Sequence, residues 1–465
     1  DEKKNFEEFI EKILKLAEEK RFKDIREALL NYNAADTAEV IEEILEYVGI
    51  DEAIIVFRLL PKAISVDVFS YLPSEDQVEI INRITDKEIN YIIDELDFDD
   101  KIDVLEELPA NLVDKILEKT TKSERKMINT FLNYPDDCAG TLMTPDYISL
   151  QADMTVREAL NYIKKEGMDS ETIYTCYVKT SGRKLEGIVS LRTLVISPDD
   201  KKISEIMHSD FVEINVYEDQ EEVSEKFKKY GFLAIPVVDN EGRLVGIITV
   251  DDIFEVIEEE ATEDIERMAG VIDSSDAEYL DMSVWKHFKN RFPWLFFLMC
   301  TYVLTGQIIS GFQHQLSAVI ALVAYMPMLM GTGGNSGSQS ATLIIRGLSV
   351  GDINLKDTLR VLWLEIRVSF TVGILLSILN FGRIMFEQRG NPQAISIGLT
   401  VCGSMLVIVM AAKCIGAMLP MLAKKIGIDP ALMASPMIAS LTDMVSVLTY
   451  FRSEEHTSEL QSHDC

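Results

Sequence analysis

Residues Asp429–Phe451 read DPALMASPMIASLTDMVSVLTYF, an apolar run that holds one ionisable side chain, Asp443, well inside it. A helix of about 20 apolar residues crosses a bilayer, so the stretch reads first as a membrane span. A carboxylate in hydrocarbon is costly unless compensated, and by default it marks an ion or proton path. Ser440, Asp443 and Ser446 recur every three residues, which a helix turns into one polar stripe. The blander reading is a buried, protonated acid paired with a hydroxyl.

Four more apolar stretches precede this one: Phe292–Phe312, Leu316–Ile345, Val361–Phe386 and Ile395–Leu419. Five spans is the simplest count, and the segment 285–451 is expected to be a five-helix membrane domain. Lys286, Lys289 and Arg291 precede the first span, Arg346, Lys356 and Arg360 follow the second, and Lys424 and Lys425 follow the fourth. Basic loops stay inside, so the large amino-terminal half is expected in the cytosol of a cell-membrane protein. Arg383 and Arg389 fall on the other side, against the rule.

The second stretch contains PMLMGTGGNSGSQSATLIIRG, Pro327–Gly347. Small and hydroxyl side chains at membrane depth allow two readings. One is close helix packing. The other is an interrupted helix whose backbone lines a wet cavity. Asn335 has little packing value in a glycine run, so carbonyls around Gly333 and Gly334, with the Asn335 amide and Ser440, are expected to border a hydrated cation path.

Up to Val284 the chain carries 67 acidic and 32 basic side chains, and after it 10 and 13. An amino-terminal half at −35 repels nucleic acid phosphates and attracts cations. Residues 1–131 show apolar positions at three and four spacing among interleaved charges, with Leu-Pro steps at Pro61, Pro73 and Pro109. Such prolines begin new helices, and the expectation is an all-α superhelix of short helices. Across 132–252, LMTPDYISLQADMTVREALNYI is repeated by IMHSDFVEINVYEDQEEVSEKF, and the hairpin turns at Gly182 and Gly242 repeat with it. Two copies of a small α/β unit follow, and the GIVSLRTL and GIITVDDI junctions resemble a tandem CBS-domain pair. Residues 253–275 read as one acidic connecting helix, for which a solvated connector is the plain alternative. The start at Asp1 shows no signal peptide, and the chain lacks an initiating Met, which reads as truncation or processing. The polar segment 452–465 reads as an appended tail without function. The six cysteines form no CxxC pair and are read as structural.

Oxygen donors without organised His or Cys favour Mg²⁺, Ca²⁺ or Mn²⁺ over Zn²⁺ or Cu²⁺. Mg²⁺ keeps several waters, so one carboxylate per chain, doubled across a dimer axis, could hold it in a wide site. No phosphate-binding loop of the Walker type is present, which argues against an ATP-driven pump, and a channel needs no hydrolytic machinery, so the chain is not expected to be an enzyme. The motifs MGTGGNSGSQS (Met330–Ser340) and DPALMASPMIASLTD (Asp429–Asp443), together with the domain order, resemble the MgtE magnesium transporter family over nearly the whole chain. The resemblance implies a homodimer in the lipid bilayer, with a Mg²⁺-selective pore at the dimer interface and Asp443 at its centre. It also implies regulatory Mg²⁺ that holds the pore shut through the connecting helix. Asp99, Asp103, Asp219, Glu221, Asp252, Glu255, Glu260, Glu263 and Asp264 are its implied ligands, with Asp429 completing a site beside Glu263 or Asp264. Gly231 departs from the pattern, where an acidic residue is expected. CBS pairs imply ATP as a further ligand. The rival reading is a secondary transporter exchanging a divalent cation for Na⁺ or H⁺, and a third makes the chain chiefly a nucleotide sensor with a membrane anchor.

Overall fold

A computed structural model of the chain describes residues 2–168, 170–271, 282–311, 323–433 and 435–463. The end of the first apolar stretch at Phe312, the start of the second at 316–322, connecting-segment residues 272–275 and tail residues 464–465 lie outside the described residues. The chain divides into two compact units, Asp1–Ile257 and Glu258–Cys465.

The first unit begins with a run of short helices between Glu2 and Phe131. Pro61, Pro73 and Pro109 each stand immediately before a helix, at Lys62, Ser74 and Ala110. The proline fixes its own φ and ends the preceding helix, which divides the segment into short pieces. Thr85 and Glu88 close a reciprocal capping box at the helix Asp86–Glu95. Each helix buries one apolar face, and Ile13, Ile41, Phe57, Phe69, Ile93 and Phe98 share a core that continues through Phe227 and Ile248 of the following α/β region.

That region contains two three-stranded sheets. Strands β1 (Tyr147–Leu150), β2 (Thr172–Lys179) and β3 (Leu185–Ser190) form the first, and β4 (Ile214–Asn215), β5 (Ala234–Val238) and β6 (Leu244–Thr249) the second. In each the first pair is parallel and the second antiparallel. The two hairpins meet about a pseudo-twofold, where Leu185 N donates to Gly242 O and Leu244 N donates to Arg183 O. Equivalent glycines let backbone approach at equivalent places: a Cβ on Gly187 would lie 3.0 Å from His208 O, and one on Gly246 2.9 Å from Thr144 O. The sequence duplication is thus a structural one.

The acidic helix Val250–Ala269 follows β6 directly. The second unit then has the long helices Val284–Gly311, Met326–Ser349, Thr358–Glu387, Ala394–Ile426 and Ser435–His463. Four segments are long and apolar enough to cross a membrane: Val284–Gly311, Leu355–Glu387, Ala394–Ile426 and Pro430–Arg452. Met326–Ser349, at 24 residues, has the length but is diluted by glycine, serine and threonine. Leu295, Phe296, Met299 and Tyr302 of the first helix face outward, which hydrocarbon solvates and water does not. The last helix runs on through the polar segment as far as His463.

One expectation is corrected. Pro327–Gly347 is not an interruption: the helix is continuous from Met326 to Ser349, so its carbonyls are taken up by its own amides. Small residues serve close packing instead. A Cβ on Gly416 would stand 2.1 Å from Gly337 O, one on Gly337 2.8 Å from Ile438 Cγ2, and one on Gly333 2.8 Å from Ser446 Oγ. Hydrogen-bonding its own backbone and packing without side chains satisfies this polar segment at no cost in exposed dipoles.

Candidate cation path and acidic patches

On the Ser435–His463 helix Asp443 is half-buried, and among the described residues it has neither an ion pair nor a hydrogen bond. The predicted stripe splits around it. Ser440 is buried and donates to Pro436 O of its own helix at 3.1 Å, and Ser446 is buried beside Gly333 with no hydrogen-bond partner among the described residues. A step of three residues turns a helix by about 300°, so the three side chains fan apart and Asp443 keeps the freest aspect. Gly333 and Gly334 are buried against neighbouring helices, and Asn335 is exposed.

Two charged residues inside the apolar helices are absent from the expectations above. Glu365 on Thr358–Glu387 and Lys413 on Ala394–Ile426 are both buried and meet at Ser340 of the Met326–Ser349 helix. Each is an ionisable group inside an apolar run, the same signal that singles out Asp443, and both were open to detection by it.

In the first unit the helix Phe98–Glu107 and the start of Val250–Ala269 gather carboxylates. Asp99 is mostly buried, and burial first and Asp252 second push its carboxyl up to about 9. Its Oδ1 is buried with no hydrogen-bond partner among the described residues. Burial followed by Asp97 raises Asp100 to about 7, and the same two causes raise Glu171 to about 7. Asp252 accepts a hydrogen bond from Thr249 Oγ1 at 2.6 Å, yet burial still lifts it to about 6. Asp103 lies at the exposed rim of the patch, where surrounding protein and then Asp100 push it to about 7, and Glu255 acts on both Asp100 and Asp103. The structure therefore brings together Asp99, Asp103, Asp252 and Glu255, and adds Asp97, Asp100, Glu171 and Asp251. Asp219 and Glu221 are not among the acids acting most strongly on this patch: Asp219 caps the Gln220–Tyr230 helix by accepting from Glu221 N at 3.0 Å.

An orphaned carboxylate oxygen amid mutually repelling acids fits a cation. Among the described residues no three His, Cys, Asp or Glu side chains stand at direct ligand spacing, so the patch suits an ion that keeps part of its water shell.

At the far end of the connecting helix Arg267 bridges Asp429 Oδ2, at 2.6 Å, and Glu263. Asp264 lies alongside, its carboxyl raised by burial and by Asp429 and hydrogen-bonded to Ser349, while Glu260 acts on Arg267 from the same helix. Asp429, Glu263, Asp264 and Glu260 do converge, but around a guanidinium. Gly231, where an acid was expected, ends its helix at φ +66°, a left-handed position that glycine fills without strain.

The MgtE divalent cation transporter model matches residues 326–453, the MgtE intracellular N domain model residues 32–137, and the CBS domain model residues 139–197 and 203–259. Magnesium transporter MgtE of Thermus thermophilus is 38% identical over 448 residues, which cover 93% of this chain and 97% of that protein. Its namesake in Bacillus subtilis is 30% identical over 454 residues, covering 96% of each. Among solved structures, the cytosolic domain of the Mg²⁺ channel MgtE in complex with ATP is 33% identical, covers 50% of this chain and 94% of that one, and has a TM-score of 0.48. The soluble part of a magnesium transporter is 28% identical, covers 55% and 99%, and has a TM-score of 0.49.

Proposed function

The chain belongs to the MgtE family of magnesium transporters, and from that premise we propose that it is a Mg²⁺ channel whose cytosolic acids close it when internal Mg²⁺ rises. The observation that carries the reading is Asp443: a half-buried carboxylate on an apolar helix, with no ion pair or hydrogen bond among the described residues, which by default marks an ion or proton path. Asn335 on the neighbouring helix adds an exposed amide oxygen. Two chains, each giving one Asp443 to a shared axis, make a site wide enough for partly hydrated Mg²⁺, and the homodimer is part of the proposal. The Met326–Ser349 helix completes five spans. Inward flow needs only the membrane potential, which contributes roughly 4.6 kcal/mol per 100 mV for a double charge.

For closure, Asp99, Asp103, Asp252 and Glu255 would hold one Mg²⁺ and the Glu263, Asp264 and Asp429 group another. Bound Mg²⁺ would supply the positive charge that the first group lacks and would compete with Arg267 at the second. Without it the acids of Phe98–Glu107 and of Val250–Ala269 repel one another; with it the arrangement that brings them together is selected. The CBS pair is the place where ATP would add a second control.

Flux into liposomes tests the reading, with Mg²⁺ stepped on the cytosolic face. Wild-type flux should shut off at millimolar-scale internal Mg²⁺, and Asp443→Ala should carry none. Undiminished flux in Asp443→Ala removes that residue from the path, and flux that follows an imposed Na⁺ or H⁺ gradient makes the protein an exchanger.

A further inference from the structure

Lys413 and Glu365 lie in the membrane unit with exposures of only 6% and 8%, and Ser340 between them has none. Ser340 Oγ donates to Glu365 Oε2 at 2.7 Å and accepts from Lys413 Nζ at 3.2 Å; the two charged groups themselves stand 3.9 Å apart. Three helices thus meet at one hydroxyl. Charged side chains at this depth are rare and are retained for a reason. A buried ion pair adds little stability over apolar residues of the same size, so stability alone does not account for it.

The surface of Met326–Ser349 that packs on Ala394–Ile426 suggests what the pair does. Around Gly337 it is made of glycine and serine, and Gly416 comes so close to Gly337 that no Cβ would fit. The glycines decide which face of the helix can come this close, but they supply no polar anchor. Ser340 supplies one, since its hydroxyl can meet Glu365 and Lys413 only at one rotation. Asn335 is five residues earlier, about 140° around the helix at 100° per residue. With Ser340 turned inward, Asn335 is turned outward, as its exposure shows.

We propose that Lys413 and Glu365 are positioning residues for transport: by gripping Ser340 they fix the rotation of the Met326–Ser349 helix and so aim Asn335 at the cation path. The inference rests on the reading of that helix as a border of the path.

The test uses the full chain in liposomes, with Mg²⁺ flux, the ratio of Mg²⁺ to Ca²⁺ flux and thermal melting measured for Lys413→Met, Glu365→Leu, the double variant, Ser340→Ala and Asn335→Ala. Each single charge removal strands a buried ion and should lower both the melting temperature and the flux. The double variant has no stranded charge and should melt near wild type. Its flux should stay about tenfold low, the scale of a lost hydrogen bond to a charged group, with a changed Mg²⁺ to Ca²⁺ ratio. Ser340→Ala should reproduce that loss with a smaller fall in melting temperature than either single charge removal, since it takes away one hydrogen bond from each ion but leaves the ions paired. If the double variant recovers flux together with stability, or Ser340→Ala transports at the wild-type rate while Asn335→Ala does not, the positioning role is overturned and the pore reading survives. Wild-type flux and selectivity in Asn335→Ala would remove the pore reading of this helix and the inference with it.

Discussion

Mg²⁺ binding to the acidic patch of the amino-terminal unit should expel protons, in a number the structure sets. At pH 7 Asp99, near 9, keeps its proton; Asp100, Asp103 and Glu171, near 7, are each about half protonated; Asp252, near 6, is about one-tenth protonated. The patch then stores about two and a half protons per chain. Ligation needs carboxylates at Asp99, Asp103 and Asp252, and the nearby double charge lowers the neighbouring Asp100 and Glu171 as well, so saturating Mg²⁺ should release up to that number at pH 7 but only about half a proton at pH 9, where Asp99 alone is still partly protonated. Calorimetric titration of the purified chain at pH 7, in two buffers of different protonation heat, reads the release directly. Asp99→Asn should remove about one proton from it. Binding heats that are identical in the two buffers, or an Asp99→Asn chain that releases as many protons as the wild type, would refute the reasoning. The linkage has a second face. All five carboxyls are raised above their unfolded values, so their contribution to stability without metal is greatest below about pH 4 and is lost as pH rises through 6 to 9. Mg²⁺ affinity should strengthen over the same window.

A methyl on Gly416 would stand 2.1 Å from Gly337 O; Gly416→Ala should therefore force two membrane helices apart, at about 1–3 kcal/mol, read as a lower melting temperature with reduced Mg²⁺ flux, and unchanged melting would contradict the close approach. Arg267→Gln removes the tethered cation from Asp429 and Glu263, and closure in the liposome assay should then need several-fold less internal Mg²⁺; an unchanged or raised requirement would show that Arg267 does not compete there. Gly231→Asp places a side chain at φ +66° and should destabilise the chain by about 1 kcal/mol without tightening Mg²⁺ binding, both measurable in one thermal-shift series with and without Mg²⁺.

Much of the architecture follows from pattern. The Leu-Pro steps divide the amino-terminal segment into short helices because proline cannot continue a helix, and the two GI-strand junctions recur because each builds the same sheet edge. Asp443 stands out in the sequence because a carboxylate is costly in the middle of a 23-residue apolar run, and the structure leaves it half-buried there. The glycine run Gly331–Gly337 was legible only as two alternatives, since small residues permit both an open backbone and a tight helix pair, and the neighbour decides. Ile438, Ala412 and Gly416 are that neighbour, and their distance along the chain hides them from any local pattern.

The acids divide the same way. Composition alone determined that the amino-terminal half must attract cations, since net charge is a sum over residues and needs no geometry. Which acids act together depends on distance: Asp99 and Asp252 are 153 positions apart in sequence, yet Asp252 is the foremost charged neighbour raising Asp99. Asp219, alike in type, is taken by a helix cap, and Arg267 takes Asp429. The spans, the duplication and the sign of the charge belong to the sequence because hydrophobicity and charge add locally. The pairing of Lys413 with Glu365 and the clustering around Asp99 belong to the tertiary structure, because electrostatic energy falls with distance in space and only the fold sets those distances.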